Sequence, residues 1–525
     1  MRLLALLGAV AVMPVSAQES NLIAVGDLLA NTIAGGGPSN IRGDLLLAND
    51  GNIYLASYGG GLTGGGTVAS IAPGGSMTVL GALTGIGDIG AQPYGRLTQG
   101  IGEYLFGTTY VGGVNGSGTV FRVAPDGTVA MVYTFGSRRE DPKLPYAGVA
   151  QTADGSLYGT TFRGGDNDAG AVYQITPAGE LNVLHSFTGG DGGEYPLGTL
   201  IAGSDGALYG TTLGNNTNRG TVYRITTSGE FTTLYNFPVL GQFNANGVAL
   251  NETGANPRSA LLLASDGNFY GTTYQGGANG FGTVFRMTPQ GDVSVIHHFS
   301  GFPSGGANPQ AGLSEGEPGV LYGTTERGGQ TNIGSAFRVT TDGTFTLLHS
   351  FTSSSVDGQN PYATLLPVNG ELYGVSYSDA SSGIGGLFKI VLPDANGALP
   401  VQFSISERQF DLGGSATLTW SSPTATSCTA AGAWSSEIGT SGAETVTPES
   451  PGFYTYVLSC VGEDGVVRNA YAWLIVTATA TQAIAAVDGG ASGGGAMSPW
   501  LLLLAAALLS FRLNFFRQKN TGENR

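Results

Sequence analysis

Asp154 to Phe187, DGSLYGTTFRGGDNDAGAVYQITPAGELNVLHSF, decides the fold, because near-copies of it recur on either side at an almost constant interval. The aromatic that follows the leucine falls at Tyr54, Phe106, Tyr158, Tyr209, Tyr270, Tyr322 and Tyr373, in steps of 52, 52, 51, 61, 52 and 51 residues. A second marker, the glycine that opens the latter half of the unit, stands at Gly66, Gly118, Gly170, Gly220, Gly282, Gly334 and Gly385. Both registers count seven, so the period is a property of the chain and not a chance match.

Each unit holds four short apolar runs, which in the third copy read YAGVAQTA, SLYGTTF, GAVYQIT and LNVLHSF. Runs of this length, rich in Val, Tyr and Thr and bounded by turn residues, predict strands. Asp50-Gly51, Asp154-Gly155, Asp205-Gly206, Asp266-Gly267 or Asn369-Gly370 separates the first two runs, a dipeptide suited to type I′ hairpins. Turns such as Asp126-Gly127 and Asp342-Gly343 separate the last two, and a looser loop such as Arg163-Gly164-Gly165 joins the middle pair. A four-stranded meander of about 50 residues cannot bury both faces alone, whereas seven arranged around an axis bury them against one another. The expected fold is therefore all-β, a seven-bladed β-propeller over residues 18–392, with runs one to four leading outward from the central channel. A linear β-solenoid is the rival, and a period near 50 residues suits it poorly.

Two details sharpen the ring. A proline enters the hub in six copies, at Pro93, Pro145, Pro196, Pro257, Pro309 and Pro361, and three residues on stand Arg96, Gly148, Thr199, Ala260, Gly312 and Thr364. Mostly small residues there fit strands that converge. Asn21 to Leu28 resembles a fourth strand without its companions, and the last unit ends near Val391 with a fourth strand missing. The leading segment is expected to complete the last blade.

The chain has 525 residues, 89 of them Gly, only 11% charged, with a net charge of −16. This excess of acid argues against nucleic acid, whose phosphates need clustered Lys and Arg. An anionic polymer is expected to be a poor partner on the same ground. Arg2, the apolar run Leu3 to Val12 and the small residues Val15-Ser16-Ala17 make residues 1–17 a signal peptide, with Gln18 as the mature start. After Leu392 the period stops. A connector at 393–400 precedes 401–479, whose runs VQFSISER, SATLTWS, TYVLSC and YAWLIVT predict a second β domain of sandwich size. Its Cys428 and Cys460 are the only cysteines, a distribution that fits one disulfide in an exported protein. Residues 480–496 read as a Gly-rich spacer with Gly489, Gly490, Gly493, Gly494 and Gly495; within 497–525, apolar Met497 to Phe511 is followed by Arg512, Arg517 and Lys519. This end reads as a sorting or membrane segment.

FYGTTYQGGANGFGTVFRMTPQG, Phe269 to Gly291, resembles the repeats of the choice-of-anchor tandem repeat GloVer-containing proteins, as do residues 40 to 392 more broadly. That resemblance implies an exported surface protein and brings no catalytic residues. SATLTWSSPTATSCTAAGAW and YTYVLSC resemble bacterial Ig-like domains, which implies that Cys428 and Cys460 are bridged. The glycine spacer, short apolar span and basic end resemble a GlyGly-CTERM signal, which implies a rhomboid-type sorting protease and the export machinery as partners. A plain membrane anchor is the alternative.

Chemistry is sparse. His185, His297, His298 and His349 all fall in the fourth run, where Tyr133 and Tyr235 replace them, so they read as structural. The recurring Thr-Thr pairs read as strand residues. The basic position at Arg122, Arg224, Arg286, Arg338 and Lys389 reads as a blade-to-blade or rim contact. Asp191 with Glu194, and Glu315 with Glu317, are the pairs that a glycan hydrolase or lyase would need. Asp166-Asn167-Asp168 offers oxygens to Ca²⁺, and no other cofactor is expected. An insertion of about ten residues between Phe237 and Leu261, with Phe243, Asn244 and Asn251, is expected to form a loop for partner contacts. The preferred reading is a non-enzymatic surface protein that binds an extracellular polymer or protein through propeller loops.

Overall fold

In the computed structural model the described residues are 22–26, 37–392 and 402–477, apart from 73–76, 86–88, 139–140, 216–218, 244–248, 353–357, 369, 379–385, 407–408, 423–424, 435–436, 451 and 463–466. The signal peptide, the connector, the glycine spacer and the apolar C-terminal segment read from the sequence lie outside them. No helix among the described residues is long and apolar enough to cross a membrane. The chain divides into two compact units, 1–399 and 400–525.

Blade 3 shows the plan. Ala150–Gln151, Leu157–Thr161, Ala171–Ile175 and Leu181–Ser186 pair in chain order as an antiparallel meander. Six further sheets repeat it, built on the second strands Ile53–Gly60, Leu105–Thr109, Leu208–Thr212, Phe269–Thr273, Val320–Thr325 and Glu371–Ser378. Numbered by chain order these are blades 1, 2, 4, 5, 6 and 7. Blade 7 takes its fourth strand from Leu22–Gly26, which pairs with Gly386–Val391 in the register Leu22↔Ile390. The ring closes as expected from the unaccompanied leading strand.

The second strands LYGTT are buried at every residue, not at alternate ones, because neighbouring blades cover both faces of each sheet. Each apolar cluster of this unit is shared by two successive blades. Tyr158, Val172 and Phe187 of blade 3 pack on Leu208, Tyr223 and Ile225 of blade 4. The seam between blades 7 and 1 is built alike, with Ala363, Val375 and Leu387 against Ile41, Leu55 and Ile71. A linear solenoid would have no such seam. The glycine inside LYGTT is a packing requirement: a Cβ on Gly271 would lie 2.5 Å from Cζ of Phe285 on the next strand.

Two sequence expectations are corrected. The Asp-Gly turns are not two-residue type I′ loops. Thr152 exchanges bonds with Gly155 N (2.9 Å) and Ser156 O (3.0 Å), so three residues form the loop. Gly155 takes φ +84° while Asp154 is not in the left-handed region, the mark of a type I turn closed by a glycine bulge. Asp154 Oδ1 accepts the Ser156 N–H at 3.1 Å, which holds the turn from the side. Three of the recurring basic residues, expected at blade-to-blade or rim contacts, are held within their own blade and not by a neighbouring one: Arg224 pairs with Asp205 at 2.7 Å, Lys389 with Glu371 at 2.6 Å, and Arg122 lies over the Tyr104 ring.

The second unit consists of two sheets. Gln402–Ile405, Ala416–Ser421 and Ser441–Val446 form one, and Gln409–Asp411, Ala425–Gly432, Glu437–Ile438, Gly452–Gly462 and Val467–Thr477 the other. They share a core of Phe403, Leu418, Trp420, Trp434, Tyr456, Leu458 and Leu474. The Cys428–Cys460 disulfide is present and joins directly opposed residues of neighbouring strands in the five-stranded sheet.

Candidate functional site

Every blade enters the hub through a non-glycine residue in the left-handed region: Asn40, Gln92, Leu144, Tyr195, Asn256, Asn308 and Asn360, with φ between 50° and 61°. Such a conformation costs free energy and persists where surrounding bonds overdetermine it. Here they do. The Leu144 N–H donates to Ser117 O of the previous blade at 2.8 Å, and its carbonyl accepts the Phe162 N–H at 3.0 Å. Asn308 and Asn360 add side-chain bonds of 2.9 Å to the carbonyls of Tyr274 and Glu326.

This clamp places two sets of seven side chains at one end of the channel. One set sits two residues after the left-handed residue: Arg42, Tyr94, Tyr146, Leu197, Arg258, Gln310 and Tyr362. The other follows the Thr-Thr pair or its equivalent: Tyr58, Tyr110, Phe162, Leu213, Tyr274, Glu326 and Tyr377. The described members are half-buried. Aromatics run from blade 1 to blade 4, and a further pair stands on blade 7 across Arg42. Tyr362 and Tyr377 have centroids 5.7 Å apart, Tyr58 and Tyr94 5.0 Å, Tyr94 and Tyr146 4.3 Å and stacked, and Phe162 and Tyr195 5.1 Å. Arg42 ties the seam: its guanidinium lies over the rings of Tyr58, Tyr94 and Tyr377 and donates to the Tyr94 and Tyr377 hydroxyls at 2.8 and 3.3 Å.

Blades 5 and 6 are polar instead. Arg258 lies 3.6 Å over the Tyr274 ring and donates to Gln310 Oε1 at 3.0 Å; Gln310 Nε2 and the Tyr274 hydroxyl both donate to Glu326. The axial cavity that Arg42, Tyr94, Tyr146, Arg258, Gln310 and Tyr362 help to line holds about 130 Å³. A cavity of roughly 150 Å³ admits benzene, so this one takes a single ring or a small polar group. Burial pushes the Tyr146 phenol up to about 12 and raises Tyr94 as well. These phenols stay protonated and act as hydrogen-bond partners, not bases.

The loops around this mouth carry exposed apolar side chains: Leu62 and Val114 between second and third strands, Phe302 between blades, and Val239 and Phe243 on the insertion. In the insertion Gln242–Phe243 pairs with Ala249–Leu250, and Asn251 bonds the Gly277 N–H of blade 5. It therefore lies on the mouth face. Asn244 falls outside the described residues.

The sequence-derived candidates differ in burial and in their partners. Asp191 is exposed on a turn, while Glu194 is only 6% exposed with one oxygen unpartnered; burial raises its carboxyl, against a hydrogen bond from Asn215 and the charge of Arg163 that pull it down. Glu315 is committed to the Ser265 N–H and hydroxyl of blade 5 and to the Gly319 N–H, and Glu317 is exposed. Asp168 accepts the Gly164 N–H at 2.9 Å and faces Arg163 at 3.5 Å, and Asp166 is exposed. No group of three or more acidic, His or Cys residues placed to hold a metal occurs among the described residues. His185 and His297 stack on Phe231 and Phe345 of the following blades. The two rings of side chains escaped the sequence reading. Their signal was present: the positions after the proline and after the Thr-Thr pair change chemical type from copy to copy while their neighbours stay constant.

Residues 40–249 and 238–441 match the family described as the Gloeobacter/Verrucomicrobia repeat. No curated protein matches the chain. Similar solved structures include the extracellular domain of a hybrid two-component system protein of B. thetaiotaomicron, at 11% identity and TM-score 0.48 over 87% of this chain and 59% of that one. The BP39L lectin of Burkholderia pseudomallei is 11% identical with a TM-score of 0.41, covering 73% and 96%, and a PL25 ulvan lyase is 11% identical with a TM-score of 0.40, covering 68% and 94%. The chain spans under two thirds of the first of these.

Proposed function

The chain belongs to the Gloeobacter/Verrucomicrobia repeat family, and from that premise we propose that it is a non-enzymatic surface protein whose propeller binds an extracellular polymer through the channel mouth. The observation that carries this is the arc of aromatics from Tyr362 to Tyr195, joined at the seam of blades 7 and 1 by the Arg42 guanidinium. Leu, Gln and Glu occupy the same ring positions in blades 4 and 6, so packing alone does not require aromatics there. Rings held half-exposed by backbone clamps offer flat apolar faces beside hydroxyls, the combination that stacks on sugar rings with little entropy lost on binding. A hydrolase or lyase is the competing reading, and it would have to use Asp191 and Glu194, which differ in burial, or Glu315, which is engaged with Ser265 of blade 5, together with exposed Glu317.

Export is the matching address. It rests on the leader at 1–17 and on the disulfide, which persists in oxidising surroundings. We read the two-sheet unit as an Ig-like spacer, and the end with Gly489, Gly490, Gly493, Gly494 and Gly495 as a sorting signal or anchor at the membrane. C-terminal mass spectrometry of the secreted protein tests that end, and an intact Arg525 counts against cleavage.

A glycan-array screen of the full chain tests binding. Retention of at least one polymer, lost in Tyr146→Ala and Tyr362→Ala variants that keep the wild-type thermal midpoint, is expected. Binding untouched by both would overturn the mouth as its site.

A further inference from the structure

We infer that the mouth selects a polysaccharide bearing carboxylates, seating one uronate group at the axis between Arg42, Arg96 and Arg258. This rests on the binding reading above and names its ligand class. The net charge of −16 pointed the other way, yet charge acts at contact according to where it sits, and exposed charges more than about 8 Å away are largely screened at physiological salt. The residues that line the axial cavity include three arginines, Arg42, Arg96 and Arg258, and one acid, Asp44. Asp44 is engaged by the Thr364 N–H at 2.7 Å. Only 21 of 525 residues are Lys or Arg, so three in one small cavity is a concentration and not a sample of the surface.

Among the described residues neither central guanidinium has a carboxylate partner. Arg42 is held by two phenols and three ring faces, and Arg258 by Gln310, whose other end meets Glu326. The Nε of each is buried without an acceptor. A guanidinium carries five N–H donors, so these bonds leave terminal N–H groups of both arginines for a carboxylate at a site narrowed to a single ring, where the sugar face can meet Tyr146. Arg96 lies in the same axial line at a position that is Gly148, Thr199, Ala260 and Gly312 in the next four blades. Its length is not required by hub packing, which elsewhere calls for small residues.

The test is calorimetry of the full chain with galacto-, gluco- and mannuronate tetramers, their carboxyl-reduced neutral counterparts, and the free uronates. A hydrogen bond to a charged group contributes roughly ten- to a hundredfold in affinity. At least one acidic tetramer should therefore bind about tenfold or more tightly than its neutral counterpart and weaken as salt rises. Arg96→Gln, at an exposed position that leaves the fold intact, and Arg258→Gln should each bring that tetramer down toward the neutral affinity. Equal affinity for acidic and neutral forms would overturn this inference and leave the binding reading standing. A free uronate as tight as its tetramer would assign the site to a small organic acid and overturn the polymer. No binding to any tetramer or to the array would overturn the reading beneath it.

Discussion

Replacing Thr109 by valine keeps the side-chain shape and removes only a hydroxyl, directly beneath the mouth residue Tyr110. In blade 2 that hydroxyl lies 2.8 Å from the Thr119 hydroxyl, accepts the Thr119 N–H at 3.1 Å and donates to Val111 O at 3.1 Å. Both threonines are fully buried, so water cannot replace the lost group. A stranded buried N–H costs about 1–3 kcal/mol and each lost hydrogen bond about 1 kcal/mol net, so Thr109→Val should destabilise by about 2–3 kcal/mol. Blade 3 supplies the control. Ala171 stands there in place of the partner threonine, and the buried Thr161 hydroxyl has no partner. Thr161→Val should be neutral or stabilising by about 1 kcal/mol, since it removes an unsatisfied group. Scaled to a unit of this size, 1 kcal/mol moves the thermal midpoint by about 1–2 °C. Calorimetric midpoints of the propeller transition should then separate the two variants by about 2–8 °C, with Thr109→Val below the wild type and Thr161→Val at or above it. Equal losses from both would refute the claim that the hydroxyl pairs support the blades.

Three further outcomes are expected of the hub, the buried histidine and the disulfide. Gly148→Ala should lower the denaturation midpoint by the equivalent of about 1–3 kcal/mol, because its Cβ would meet Arg96 O at 2.5 Å in the hub; an unchanged midpoint would mean that the hub is looser than described. Burial, with His298 beside it, lowers His297 from 6.5 to about 4. The unfolded chain therefore binds more protons between those values, and stability should be complete above pH 6.5 and decline as the pH falls toward 4. His297→Phe, which keeps the stack on Phe345, should flatten part of that decline in midpoints measured at pH 7, 5.5 and 4. Removing both cysteines, Cys428→Ala with Cys460→Ala, opens a loop with a sequence separation of 32 and should cost the second unit about 3–4 kcal/mol in the chain-entropy view. The propeller transition should not move.

The number of blades, the strand order and the closing role of Leu22–Gly26 were legible in the amino-acid sequence. Period, turn residues and short apolar runs are local signals, and each blade repeats them. Turn geometry was less legible. An Asp-Gly pair serves a two-residue loop or the end of a three-residue one, and only the bonds of Thr152 distinguish them. The candidate carboxylates were chosen for proximity in sequence, but Glu194 turns inward while Asp191 stays in solvent, a difference set by packing that adjacency does not record. The mouth of the channel was the least legible feature. Its side chains stand about 52 residues apart along the chain, and nothing local relates Arg42 to Tyr94 and Tyr377. Sequence alone thus determined that a ring of seven sheets forms; ring closure then decided which varying residues meet at the axis, and why an acidic protein gathers arginines there.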